Sequence, residues 1–226
     1  MLQSFVGGFS GSIAAGIAPV LTRTSLAPAM LRFMESHPNM AVRVVEAYSP
    51  ILLKAVLEQE LDFAIIPSLP GRSGLDIQHF ATSFETFVQR RTTHNAQYDR
   101  KPVRLGELGP IRVVLPGMGN ARRTRITPYF ETSGARILQI LEMDAMMGTL
   151  DFVSKSDWGT IVPAITMTGD VSQMPLISRP LSDPMLGLEF VVATASSRGL
   201  TRPAETFVSF MKQEASNLST LWHATA

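Results

Sequence analysis

Residues 62–67 read Asp62, Phe63, Ala64, Ile65, Ile66, Pro67: four consecutive apolar side chains closed by a proline. A strand with one wet face alternates apolar and polar residues, so an uninterrupted run of this length must be covered on both sides. Helices on both faces of a parallel sheet provide that cover. The neighbouring segments have the matching rhythm of strand, helix, strand, and an α/β fold is the expectation.

The first cycle starts with a strand over 12–19. In TRTSLAPAMLRFMESHP, which follows it, Leu26, Met30, Phe33 and Met34 recur at helical spacing and His37-Pro38 stops the helix. Thr24 or Ser25 is placed to cap its start, the hydroxyl accepting from free backbone N–H groups. Residues 41–48, AVRVVEAY, form a β-branched strand with Val42 and Val44 on one face. Ser49-Pro50 is a cap and first-turn pair for a helix through Leu57 and Glu60. PGRSGLD (70–76) reads as loop and FETFVQRR (84–91) as another strand. Thr92 to Gly109 is polar and turn-rich, a boundary between lobes.

A second cycle runs through a strand over 111–116, the turn GMGN and a helix over 124–132 that ends at Gly134. A strand over 137–143, a helix over 145–155 and a short apolar strand over 159–164 complete it. A strand over 186–195 and a helix capped by Thr201 and opened by Pro203 close the chain. Two βα cycles separated by a polar stretch imply two α/β lobes.

Charge and composition exclude several classes of function. Lys+Arg number 20 against 19 Asp+Glu, a formal charge of +1, so no phosphate-binding surface is expected, because nucleic-acid affinity depends on clustered positive charge. The chain has no cysteine, which rules out disulfide scaffolds, Cys-ligated zinc and thiol catalysis. A hydrophobic fraction of 45% rules out intrinsic disorder. Residues 1–21 are apolar and small, yet the first basic residue is Arg23 and glycines 7, 8, 11 and 16 interrupt the run, unlike a secretory signal. No stretch approaches the ~20 apolar residues of a membrane span. A soluble, cytoplasmic protein is expected.

Motifs for catalysis are missing. GMGNAR (117–122) follows a strand like a dinucleotide fingerprint, with Glu142 near the ribose-acid position, but Arg122 replaces the third glycine that lets helix and strand approach closely. There is no P-loop, and GFSGS (8–12) departs from the nucleophile elbow at Ser12. His37, His79, His94 and His223 lack metal-ligand spacing, and Glu58/Glu60 read as a solvated helix end. Arg122, Arg123 and Arg125 read as a solvated helix start, with an anion clamp or a subunit contact as the functional alternative. The methionines at 30, 34, 143, 146 and 147 read as core packing. No enzyme activity, cofactor or metal is expected.

The order of segments is similar to the effector-binding domain of LysR-type transcriptional regulators. The residues that carry the resemblance are G-x-I-x-x-G-I-A-P at 11–19, Phe33 to Pro38, Glu46, and Leu61-Asp62-Phe63-Ala64-Ile65. VSKSDWGTIVPA (153–164) and PAETFVSFMK (203–212) look like the family's later strand and closing helix. The resemblance implies two Rossmann-like lobes joined by a hinge, in the manner of type 2 periplasmic binding proteins. By that analogy lobe I is 1–87 with 190–226 returning to it, lobe II is 88–189, and the crossovers lie near Thr86–Arg90 and Leu186–Val191. It implies a homodimer or homotetramer in which the helix at 26–36, with Met30, Leu31, Phe33 and Met34, meets lobe II of a neighbour. The family's helix-turn-helix is absent from this chain, so DNA contact is expected only through that missing N-terminal domain.

A small effector, an organic acid, is expected in the cleft between the lobes, with no membrane partner. In α/β lobes ligands collect at strand C-terminal ends, where helix N-termini present free N–H groups. The candidate contacts are Thr22, Arg23, Thr24 and Ser25 at the first junction and Ser49 with Pro50 at the second. Pro116, Gly117, Met118, Asn120, Trp158 and Gly159 are the candidates from lobe II. For Thr24 and Ser49 plain helix capping is the competing reading, and for Trp158 a place in the hinge-side core. A solute-binding protein of a transport system is the alternative on the same scaffold.

Overall fold

The structure, a computed structural model, describes residues 9–69, 73–168 and 173–224. Most of the apolar start at 1–8, the Pro70–Arg72 part of the expected loop and residues 169–172 lie outside the described residues. Among the described residues nine strands form one sheet, eight of them in the order β2-β1-β3-β9-β4-β7-β5-β6, with β8 paired to β4 off this path. The strands are β1 (Ser10–Ile17), β2 (Asn39–Glu46), β3 (Phe63–Pro67), β4 (Leu75–Arg90), β5 (Pro110–Leu115), β6 (Arg136–Glu142), β7 (Gly159–Pro163), β8 (Leu176–Pro180) and β9 (Gly187–Ala195). β1, β2 and β3 are mutually parallel, as are β5, β6 and β7, while β9 and β4 run antiparallel to their neighbours.

Residues of β3 separate cleanly by face. Phe63 and Ile65 enter a core with Ile13, Phe33 and Phe207, whereas Ala64 and Ile66 enter a second core with Leu52, Leu53 and Val56. That is the two-sided cover its composition requires, although β3 is parallel only to β1 and antiparallel to β9. β5 and β7 repeat the device: Val113, Leu115 and Ile161 face one core, Val114 and Val162 the other. Helices supply the outer layers: α2 (Ala27–Ser36), α3 (Ser49–Leu57), α4 (Arg123–Thr132), α5 (Met146–Ser154) and α6 (Arg202–Ala224).

The first helical segment differs from expectation. It opens at Pro19, not near Thr24, as α1 (Pro19–Leu21), and continues through a π turn over Thr22–Leu26 into α2. Proline suits a first helical position because its φ is preset and its missing N–H is not needed there. Pro28, at the start of α2, crowds the carbonyl four residues back and has no N–H for it, and the chain widens to π just before this point. Thr24 and Ser25 are therefore not caps. Thr24 donates back to the Val20 carbonyl at 2.9 Å, and Ser25 is fully buried.

β4 is the other departure. It begins at Leu75, well before the expected start, and pairs with β9 through Phe84 before turning to β7 and β8 from Glu85 onward. Its first half carries Asp76, Gln78 and His79 on exposed positions and a bulge between His79 and Ala81, which hides the strand pattern. β8 has no readable strand pattern because it is only five residues long, follows Pro175 and ends in Pro180. The closing helix is as expected: the Ala204 N–H points at the Thr201 hydroxyl, and Pro203 sits in its first turn. Among the described residues no helix is long and apolar enough to cross a membrane.

Candidate functional site

Both sets of parallel strands deliver their C-terminal ends to one region. β1, β2 and β3 bring Ala18, Tyr48, Ser49 and Pro67; β5, β6 and β7 bring Pro116, Asn120, Arg122, Met143, Met146 and Val162. Three spaces open there. An inner cavity of about 20 Å³ is lined by Pro19, Tyr48, Ser49, Asn120, Arg122 and Met146, among others. A second, of about 10 Å³, lies against Tyr48, Arg122, Met143, Met146, Thr149 and Thr160. Each inner space has room for about one water. An open groove of about 360 Å³ lies outside them, against Pro19, Thr22, Arg23, Glu46, Met146 and Met147.

Arg122 is the organising group of the inner cavities. Its Nε and Nη2 donate to the two carboxylate oxygens of Glu85 at 2.7 and 2.8 Å, and Nη2 also donates to the Ile161 carbonyl at 2.7 Å. The side chains are only 7% and 3% exposed. Glu85 lies on β4 at the residue where that strand changes partners. The Arg122 N–H donates to Asn120 Oδ1 at 2.9 Å, so the Asn120 amide nitrogen is left for the cavity. Among the described residues no protein partner takes that nitrogen, the Ser49 hydroxyl or the Tyr48 hydroxyl. Burial pushes the Tyr48 phenol up from its ordinary pKa and the Asp144 charge adds to this, against the opposing Arg122, so Tyr48 is a neutral donor.

The expectation of a solvated helix start fails for Arg122 and Arg123. Both are buried; Arg123 donates to the Pro116 carbonyl and to Thr127, while Arg125 remains exposed and donates to the Gly187 carbonyl. The Glu142 carboxylate lies 3.8 Å from Arg123, which gives it an ion-pairing place in this fold. Of the methionines, Met34 and Met147 are exposed rather than core.

The other expected site residues divide. Ser49, Asn120 and Pro116 line the inner cavities, and Thr22 and Arg23 line the groove, where the Thr22 hydroxyl donates to Glu46 and to the Pro19 carbonyl. Pro50 faces solvent, Met118 is 64% exposed, and Gly117 donates its N–H to Asp144 at 3.0 Å. Thr24 and Ser25 line none of the three spaces. Neither do Trp158 and Gly159, which lead into β7 and so lie at its N-terminal end, away from the converging C-terminal ends. Trp158 packs edge-on against Phe152, with the Arg112 guanidinium 5.7 Å from its ring. A Cβ on Gly159 would sit 2.4 Å from the Phe87 ring, so this glycine serves close packing. Tyr48 and Met146 line the inner cavities and Glu85 holds Arg122, and none of the three is among the expected site residues; Tyr48 alone carried a signal, its place just after a strand end.

A family model described as the LysR substrate binding domain matches residues 7–216. The chain belongs to the LysR substrate-binding domain family. Its architecture is the periplasmic-binding-protein-like type 2 fold of LysR regulatory domains. The LysR domain is 22% identical over 191 residues to the HTH-type transcriptional regulator GbpR of Azospirillum brasilense, a match covering 81% of this chain and 56% of that protein. The chain thus spans little more than half the length of this curated relative. Among solved structures it resembles HinK, a LysR family transcriptional regulator from Pseudomonas aeruginosa, with a TM-score of 0.77 at 16% identity over 94% of this chain and 73% of that one. It also resembles the CcmR regulatory domain of Synechocystis PCC6803 in complex with 2-PG, with a TM-score of 0.77 at 14% identity over 92% of this chain and 99% of that one.

Proposed function

We propose that this LysR domain is the ligand-sensing part of a transcriptional regulator and binds a small monocarboxylate at the converging strand ends. The observation that carries this is a set of polar groups around one cavity that no protein group engages among the described residues: the Ser49 hydroxyl, the half-buried Tyr48 hydroxyl and the Asn120 amide nitrogen. A few convergent polar groups in a largely apolar concavity are what fixes the polar head of a small ligand. Ser49 also opens α3, whose N-terminus adds a positive dipole end. Arg122 is already neutralised by Glu85, and Glu46 and Asp144 border the region. A single negative charge is therefore accepted and a second one repelled.

In this reading lobe I comprises 1–87 with 190–226, lobe II comprises 88–189, and the partner switch in β4 at Phe84/Glu85 is the hinge between them. Effector favours one lobe or subunit arrangement by its differential affinity, and that arrangement sets the spacing of DNA-binding heads in the longer regulator. The test is thermal unfolding with aromatic and aliphatic monocarboxylates beside matched dicarboxylates. A selective monoacid at a hundred times its dissociation constant stabilises by about 2.7 kcal/mol. Ser49→Ala and Asn120→Ala are expected to abolish that shift. A panel with no shift, or turnover of any member, would overturn the reading.

A further inference from the structure

Met146 is the one side chain that lines all three spaces: both inner cavities and the outer groove. Pro19 and Met146 are the two residues shared by the groove and the first inner cavity, and Pro19 is a rigid ring whereas Met146 is not. Tyr48, Arg122 and Met146 are shared by the two inner cavities. Met146 opens α5, directly after the extended Ala145, and is only partly buried. Methionine has three rotatable bonds, and its thioether fits irregular apolar surfaces.

We infer that Met146 is the specificity-determining partition of the effector site. It stands between the polar head pocket of Ser49, Tyr48 and Asn120 and the roomy groove that takes the body of the ligand. Turning it aside joins a groove of about 360 Å³ to cavities of about 20 and 10 Å³. The groove's apolar surface near the partition is again methionine, Met146 and Met147. The ligand class is thus a carboxylate on an apolar body whose width at the head is limited by Met146. The inference rests on the monocarboxylate reading above and adds the residue that limits size.

The test uses the full chain and three acids with the same head and growing body: benzoate, 2-naphthoate and 9-anthracenecarboxylate. Affinities are measured by calorimetry for wild type, Met146→Ala, Met146→Leu and Met146→Phe, each checked for an unchanged circular dichroism spectrum. Met146→Ala is expected to favour the larger acids relative to benzoate by roughly tenfold or more, the scale at which apolar pockets discriminate size. Met146→Phe is expected to shift the order the other way, and Met146→Leu to keep it. If the acids bind every protein in the same order, the partition is overturned while the head site stands, which Ser49→Ala then confirms by weakening all three. If no acid binds any of the proteins, the monocarboxylate reading falls and the partition with it.

Discussion

At the scale of single residues the Arg122–Glu85 pair dominates. Two charges almost completely withdrawn from water gain little net stability as a pair, but removing one partner strands the other. Glu85→Ala is therefore expected to destabilise the chain by about 3–5 kcal/mol. The double replacement Glu85→Leu with Arg122→Met is expected to recover much of that loss, because no unpaired charge remains. Urea unfolding of the two single variants and the double variant measures the coupling directly. A second residue-scale expectation follows from the tyrosines. Burial raises the pKa of Tyr48 and of Tyr129, whose hydroxyl donates to the Pro184 carbonyl at 2.7 Å. A phenol whose folded pKa is raised binds its proton longer in the folded state than in the unfolded chain. Its contribution is complete below the ordinary value near 10 and is lost as pH rises above it. Stability followed across pH 9 to 11 is expected to fall less steeply in Tyr129→Phe than in wild type.

At the scale of elements, what the sequence disclosed depended on whether a segment's burial was uniform. β3 and β7 are wholly buried and read directly from composition. The first half of β4 is largely exposed and bulged, so its residues carried no alternation to read. The start of the first helix was misplaced because Thr24 and Ser25 are good capping types, yet Pro19 had already turned the chain. The site was legible to the same extent. Ser49, Asn120 and Pro116 follow strand ends and line the inner cavities, whereas Trp158 precedes its strand and lines none of the three spaces. Arg122 was misread because a guanidinium at a helix start is ordinarily wet; its acid partner is 37 positions away, where only the fold brings it near. The two-sided burial of β3 has a measurable consequence. Ile65→Ala removes bulk from a fully buried position and is expected to cost about 2–5 kcal/mol, whereas Ile77→Ala, on the exposed part of β4, is expected to cost a small fraction of this. Chemical denaturation of both variants separates the two cases.

At the scale of the whole molecule, two of the apolar surfaces that remain wet among the described residues lie on α2 and β6. On α2, Leu31 is 65% exposed and Met34 lies beside it, although the opposite face of the same helix buries Ala29 and Phe33 against α6. On the edge strand β6, Leu138 is 67% exposed and Ile140 is also uncovered. An uncovered edge strand with apolar side chains invites pairing with another chain unless a partner covers it. The α2 surface lies over the core of the first set of parallel strands and β6 is the edge strand of the second, so one copy offers both surfaces. A two-fold dimer can then bury each on the other twice over, as the expected contact of the helix at 26–36 with lobe II of a neighbour requires. Leu31→Glu and Leu138→Glu each place a charge in that contact without touching either inner cavity. Sedimentation is expected to show a dimer for wild type and monomers for both variants, with melting of the monomer unchanged by more than the usual surface effect of about 0.5 kcal/mol. A wild-type chain that sediments as a monomer at high concentration would remove this contact from the account and leave the effector site intact. If only Leu31→Glu dissociates the dimer, then α2 pairs with its own counterpart and β6 has another neighbour.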